Sequence, residues 1–154
     1  MTPSRRSPAF QTYLAARVHT GGRGFLSKSI GVAHMLEGHG DIHHIVPKNH
    51  LVQNGFPKAG DYNQVANFAL TETPINIGIK DHPPCKYMRW IDEQVRTGEL
   101  YLGEISDPRD LVENLTENAI PAFIREVSAE KYEEFLRERR RLMAQAIRRF
   151  YNAL

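Results

Sequence analysis

Cysteine is nearly missing: Cys85 stands alone among 154 residues. An internal disulfide and a four-cysteine zinc site are both excluded, and the usage fits a reducing compartment, so a cytoplasmic location is expected. No stretch approaches the roughly 20 apolar residues that a membrane-spanning helix needs. The start, Met1-Thr2-Pro3-Ser4-Arg5-Arg6-Ser7, is basic, but no apolar signal core follows it. Internal repeats, low-complexity tracts and interdomain linkers are absent as well. Charge of one sign is also in short supply. A net +2 is too small to argue for nucleic acid by itself, although arginine crowds toward the C-terminus. What is present, 41% hydrophobic and 25% charged residues, suits one globular domain over 1–154 with a real core.

Local signals order the chain into three parts: N-terminal helices over 8–40, a central unit over 41–82 and a helical remainder over 83–154. Ser7-Pro8 predicts a capped helix start, followed by Phe10, Tyr13, Leu14, Arg17 and Val18 at helical spacing and closed by Gly21-Gly22. Ile30 to Leu36 predicts a short helix stopped by Gly38. Residues 41–46 then predict a strand, 48–63 a loop with a helical turn, and Val65–Leu70 a second, antiparallel strand. Thr73-Pro74 predicts a cap and first-turn proline for a short helix over 75–80. A helix follows on Tyr87, Trp90, Ile91 and Val95, ending near Gly98, and Leu100–Ile105 reads as a weak strand or connector. Asp107-Pro108 opens another helix. The last runs from Ser128 to near the end on a stripe of Tyr132, Phe135, Leu136, Met143, Ala146, Ile147 and Phe150.

The chemistry concentrates in Asp41-Ile42-His43-His44-Ile45-Val46-Pro47 and in Asn67-Phe68-Ala69-Leu70-Thr71 followed by Asn76. Side chains alternate along a strand, so Asp41 and His43 share a face while His44 points away from it. Two adjacent imidazoles can thus serve different tasks, one toward a metal and one toward a water.

This pattern resembles the HNH, or ββα-metal, endonuclease motif. The more similar group is the C-terminal nuclease domain of GmrSD-type, modification-dependent restriction proteins. There a His-His-Ile-x-Pro-Lys element precedes an Asn-rich strand and an Ile-x-Asp-x-Pro-Pro segment, like Ile79-Lys80-Asp81-His82-Pro83-Pro84 here. The resemblance implies an α+β, mostly helical fold with the two-stranded hairpin and short helix embedded in a helical domain. It implies a phosphodiester hydrolase acting on DNA, serving restriction of phage or foreign DNA. His44 would be the general base and Asn67 the catalytic support that bonds backbone near His44 and aims its ring. His43 and Asn76 would hold one divalent metal, with Asp41 as a further ligand or orienter. His43 stands where many relatives have Asp. Mg²⁺ or Mn²⁺ is the expected metal, with Zn²⁺ or Ni²⁺ as alternatives better suited to imidazole. The ParB-like NTPase-type module that usually precedes this domain does not occur in these residues, so such a module or a separate subunit would be a partner. Nucleotide hydrolysis and sensing of modified bases are not implied.

Lys48, Lys80 and His82 flank the motif and are candidates to meet DNA phosphates. His50 reads as a solvated loop residue, and His19, His34 and His39 as surface or capping residues. The Tyr87 and Trp90 face reads as core, and Cys85 has no nucleophilic context. Arg137, Arg139, Arg140, Arg141, Arg148 and Arg149 form the largest basic run. Glu130, Glu133, Glu134 and Glu138 can pair with it, so it reads as a solvated helix face. Two competing readings remain: a non-catalytic DNA- or partner-binding module with this fold, and a metal site that is only structural.

Overall fold

The computed structural model describes residues 6–154. Among the described residues the chain is mostly helical around one two-stranded antiparallel sheet. Helix α1, Pro8–His19, starts where Ser7 Oγ accepts from the Phe10 amide, with Pro8 in the first turn. A short helix α2, Val32–His34, runs into a π-type turn over Met35–His39. Strand β1 is Asp41–His44 and strand β2 is Phe68–Thr71. Between them lie α3, Lys48–Gln53, and α4, Ala59–Tyr62. Helix α5, Thr73–Ile79, follows β2 at once and packs on β1. Three longer helices complete the chain: α6 (Pro84–Thr97), α7 (Pro108–Glu117) and α8 (Tyr132–Ala153).

One buried apolar cluster joins these elements, from Phe10 on α1 through Phe68 on β2, Ile75 on α5 and Met88 on α6 to Phe135 and Met143 on α8. Helix α8 lies against α1 and against the turn that enters β2. Among the described residues, no helix is long and apolar enough to cross a membrane.

Several boundaries differ from the sequence expectation, each for a hydrogen-bonding reason. Strand β1 ends at His44, not Val46, because the Val46 amide donates to the Asn67 side chain instead of to a ladder partner. Val65–Asn67 is a 3-10 turn, so β2 begins only at Phe68. The 48–63 loop holds two short helices. Glu72, not Thr73, is the residue before α5, since the Thr73 hydroxyl donates to Asp41 Oδ1 at 3.2 Å. The expected 30–36 helix shrinks to three residues before the π-type turn takes over. Helix α6 starts earlier than expected, at Pro84. Residues 100–105 form no strand; Gln94 holds them, its amide oxygen accepting from the Tyr101 and Leu102 amides. The last helix starts at Tyr132, after a 3-10 turn over Ala129–Lys131.

Arginine 139 is the largest correction. It faces inward, fully buried, rather than lying on a solvated face. Its Nη1 donates to the carbonyls of Ala66 at 2.9 Å and Phe68 at 2.7 Å, and Nη2 donates to that of Asn118 at 3.2 Å. Its neighbour Arg141 does what the spacing suggests, pairing with Glu138 on the exposed side.

Candidate active site at the hairpin

The antiparallel register sets Asp41 opposite Thr71 and His43 opposite Ala69. With small Ala69 across from it, the His43 ring turns into the core. It stacks on Phe25 at 5.9 Å between centroids and meets Tyr87 edge-on at 6.3 Å. Asn76 comes up from α5, one turn beyond β2, and its Oδ1 lies 2.8 Å from His43 Nδ1. Its Nδ2 donates to Asp41 Oδ2 at 3.2 Å. Asp41, Asn76 and His43 therefore form one bonded chain across the hairpin and α5.

With Asn76 Oδ1 as acceptor, His43 carries its proton on Nδ1 and its lone pair on Nε2. That Nε2 is buried and has no hydrogen-bond partner among the described residues. Burial drives the His43 pKa down from 6.5 to about 4; the bond to Asn76 opposes this, and the neighbouring His44 and Arg139 add to it. The ring is neutral at physiological pH, the form that can ligate a metal.

His44 occupies the opposite face and is half-buried. Its Nε2 lies 2.9 Å from Asn63 Oδ1, and its ring contacts Phe68 and Tyr62 edge-on. Asn67 is fully buried and acts on backbone: its Oδ1 accepts from Val46 N at 2.8 Å, and its Nδ2 donates to the Val46 and Tyr62 carbonyls. It fixes the exit of β1 two residues past His44. The Tyr87 hydroxyl pins the residue between, donating to the Ile45 carbonyl at 2.8 Å.

No family model matches the chain, and neither curated proteins nor solved structures provide a match. The site must therefore be weighed on its own chemistry.

A carboxylate, an amide oxygen and a neutral imidazole are donors that a divalent cation accepts, but the nitrogen of His43 that faces Asn76 and Asp41 is Nδ1, which carries the proton in this arrangement, while the Nε2 lone pair lies on the core side of the ring. Lys48 is exposed, with Nζ 5.2 Å from the Tyr62 ring that packs on His44. Among the described residues, no hydrogen bond or ion pair joins Lys80 or His82 to the bonded group. Lys80 ends α5, exposed, with φ 54°, and His82 presents its ring edge to Trp90 at 5.1 Å. Two surface clefts of about 530 Å³ lie elsewhere; one is lined by Trp90 and Tyr101, the other by His50 and Glu133.

Asn63, Phe25, Tyr87 and Arg139 all position this site, and the sequence reading assigned none of them to it. Asn63 had a usable signal, an amide shortly before the second strand. His50 also departs from expectation: its Nε2 accepts from the Ala129 amide at 3.1 Å, tying α3 to the start of the last helical segment. Burial lowers its pKa, which keeps that lone pair available.

Proposed function

We propose that the chain is a metal-dependent endonuclease of the HNH type, hydrolysing DNA phosphodiester bonds with His44 as general base. One observation carries the reading: the bonded chain Asp41–Asn76–His43 on one face of the hairpin, with His44 at the adjacent position on the other. Phosphodiester hydrolysis needs a deprotonated water, positive charge beside the phosphate and help for the departing 3′-oxygen. His44 supplies the first. Asn63 holds the ring at Nε2, the imidazole takes the proton from water, and Asn67 keeps the β1 exit in register while it does so. Asp41, Asn76 and His43 would hold the cation, His43 through Nδ1 once the ring changes tautomer and gives up its bond to Asn76 Oδ1; the ion is Mg²⁺ or Mn²⁺ by resemblance to the family and Zn²⁺ or Ni²⁺ by affinity for imidazole. When bound, the ion stabilises negative charge on the phosphate. Lys48, exposed beside the Tyr62 ring, would meet a phosphate oxygen. Restriction of foreign DNA, with a separate module as partner, rests on the family resemblance alone.

The full burial of His43 favours a second reading, in which it is a core imidazole and the chain binds DNA without cutting it. Plasmid cleavage across Mg²⁺, Mn²⁺, Zn²⁺ and Ni²⁺ separates the two. The parent chain should nick or cut supercoiled plasmid with at least one metal. General-base catalysis is worth about 10²–10⁴-fold, so His44→Ala should lose that much while still retarding DNA. Retardation without cleavage under every metal selects the second reading, and a His44→Ala chain that cuts as fast as its parent removes His44 from the mechanism.

A further inference from the structure

The turn that delivers the chain into β1 gathers three metal-binding side chains. His34, Glu37 and His39 each offer a ligand atom, and these atoms all lie within 4.8 Å of one another. Regular α-helical geometry would not do this. At 3.6 residues per turn, a residue five positions on lies about 140° around the axis. The chain instead leaves helical geometry at Gly38, φ 100°, and this kink brings His39 back beside His34. The two imidazoles stack with centroids 4.2 Å apart and planes 7° from parallel. The Glu37 carboxylate sits 4.0 Å from His34 Nδ1. All three side chains are exposed and free to turn their donor atoms toward a common point.

We propose that His34, Glu37 and His39 form a binding site for one borderline divalent metal, zinc foremost, with water completing its shell. Two imidazoles and one carboxylate are a donor set that zinc takes in open three-ligand sites. An imidazole majority disfavours Mg²⁺ and Ca²⁺, which require oxygen. The site shares no ligand with Asp41, His43 and Asn76. Its consequence is mechanical. Gly40, one residue past His39, packs so closely that an added Cβ would fall 2.8 Å from the Met35 side chain and 3.0 Å from the Thr71 carbonyl oxygen. An ion clipping His34 to His39 therefore stiffens the segment that enters β1.

Zn²⁺ titration calorimetry on the full chain, stripped beforehand with chelator, tests this, with Co²⁺ absorption as an optical check. Three proteins are compared: the parent, His34→Gln/His39→Gln, and Asp41→Ala/Asn76→Ala. The substitutions at 34 and 39 are on exposed positions, and circular dichroism confirms the fold. The expected result is a zinc site in the parent, additional to any ion at the hairpin group, that also raises its Tm. It persists in Asp41→Ala/Asn76→Ala and weakens about tenfold or more in His34→Gln/His39→Gln. Equal affinity and stoichiometry in the parent and His34→Gln/His39→Gln would overturn the proposal. So would loss of the only zinc site in Asp41→Ala/Asn76→Ala, or no uptake by the parent at millimolar zinc. Plasmid cleavage plays no part in this readout, so failure of the nuclease reading leaves it standing and the reverse also holds.

Discussion

Replacing Arg139 by Met should be among the most damaging single changes on α8. The guanidinium is fully buried and satisfies three carbonyls, those of Ala66, Phe68 and Asn118. Methionine fills much of the same volume but donates nothing. Each carbonyl left unsatisfied costs about 1–3 kcal/mol. Part of that returns, because a guanidinium no longer has to be desolvated, a cost of several kcal/mol; burial lowers the Arg139 pKa for the same reason. The net loss should be about 3 kcal/mol, within the range seen when buried charge networks are broken. Urea unfolding followed by Trp90 fluorescence measures it, with Arg137→Met on the exposed side expected within about 0.5 kcal/mol of the parent. Ala66 and Phe68 flank Asn67, so the variant should also loosen the Asn67–Val46 pair and slow any plasmid cleavage. An Arg139→Met midpoint indistinguishable from that of Arg137→Met would mean these three bonds contribute nothing net.

Further outcomes are expected at other positions. Asn67→Ala leaves Val46 N, Val46 O and Tyr62 O without their partner and should cost roughly 2–4 kcal/mol in the same urea assay. His43 has a folded pKa of about 4 against 6.5 when exposed, so between these values the unfolded chain binds a proton that the folded chain refuses. Stability should therefore be unaffected by His43 above pH 6.5 and fall as pH drops toward 4, by about 2 kcal/mol between pH 7 and pH 5. Unfolding in chelator at the two pH values, compared with His43→Phe, isolates this contribution; an unchanged slope in the variant would assign it elsewhere. Gly98→Ala should cost about 1 kcal/mol purely through backbone strain, because φ is +79° and nothing lies within 4 Å of the added methyl. A thermal melt of that variant matching the parent would show the α6 end relaxing instead.

Most elements and much of the site were legible in the sequence because their causes are local. Ser7-Pro8 and Asp107-Pro108 start helices through side chains three residues or fewer from the amides they cap. Alternation along a strand separates His43 from His44, and a helix just beyond β2 brings Asn76 to His43 and Asp41. What stayed hidden depends on partners far along the chain. Asn67 bonding Val46 shortens both strands, Arg139 turns inward to carbonyls some seventy residues earlier, and His50 reaches Ala129. An arginine followed by arginines looks solvated until the fold places three unsatisfied carbonyls beside one of them. Likewise His34 and His39 are spaced for different sides of an α-helix, and the kink at Gly38 brings them together. The sequence by itself determined where the proline-started helices α1 and α7 begin and which strand residues share a face. Tertiary structure alone decided which of those side chains are buried and which backbone groups they satisfy. A buried polar group must find a partner wherever the fold supplies one, and that location is not written in the local spacing.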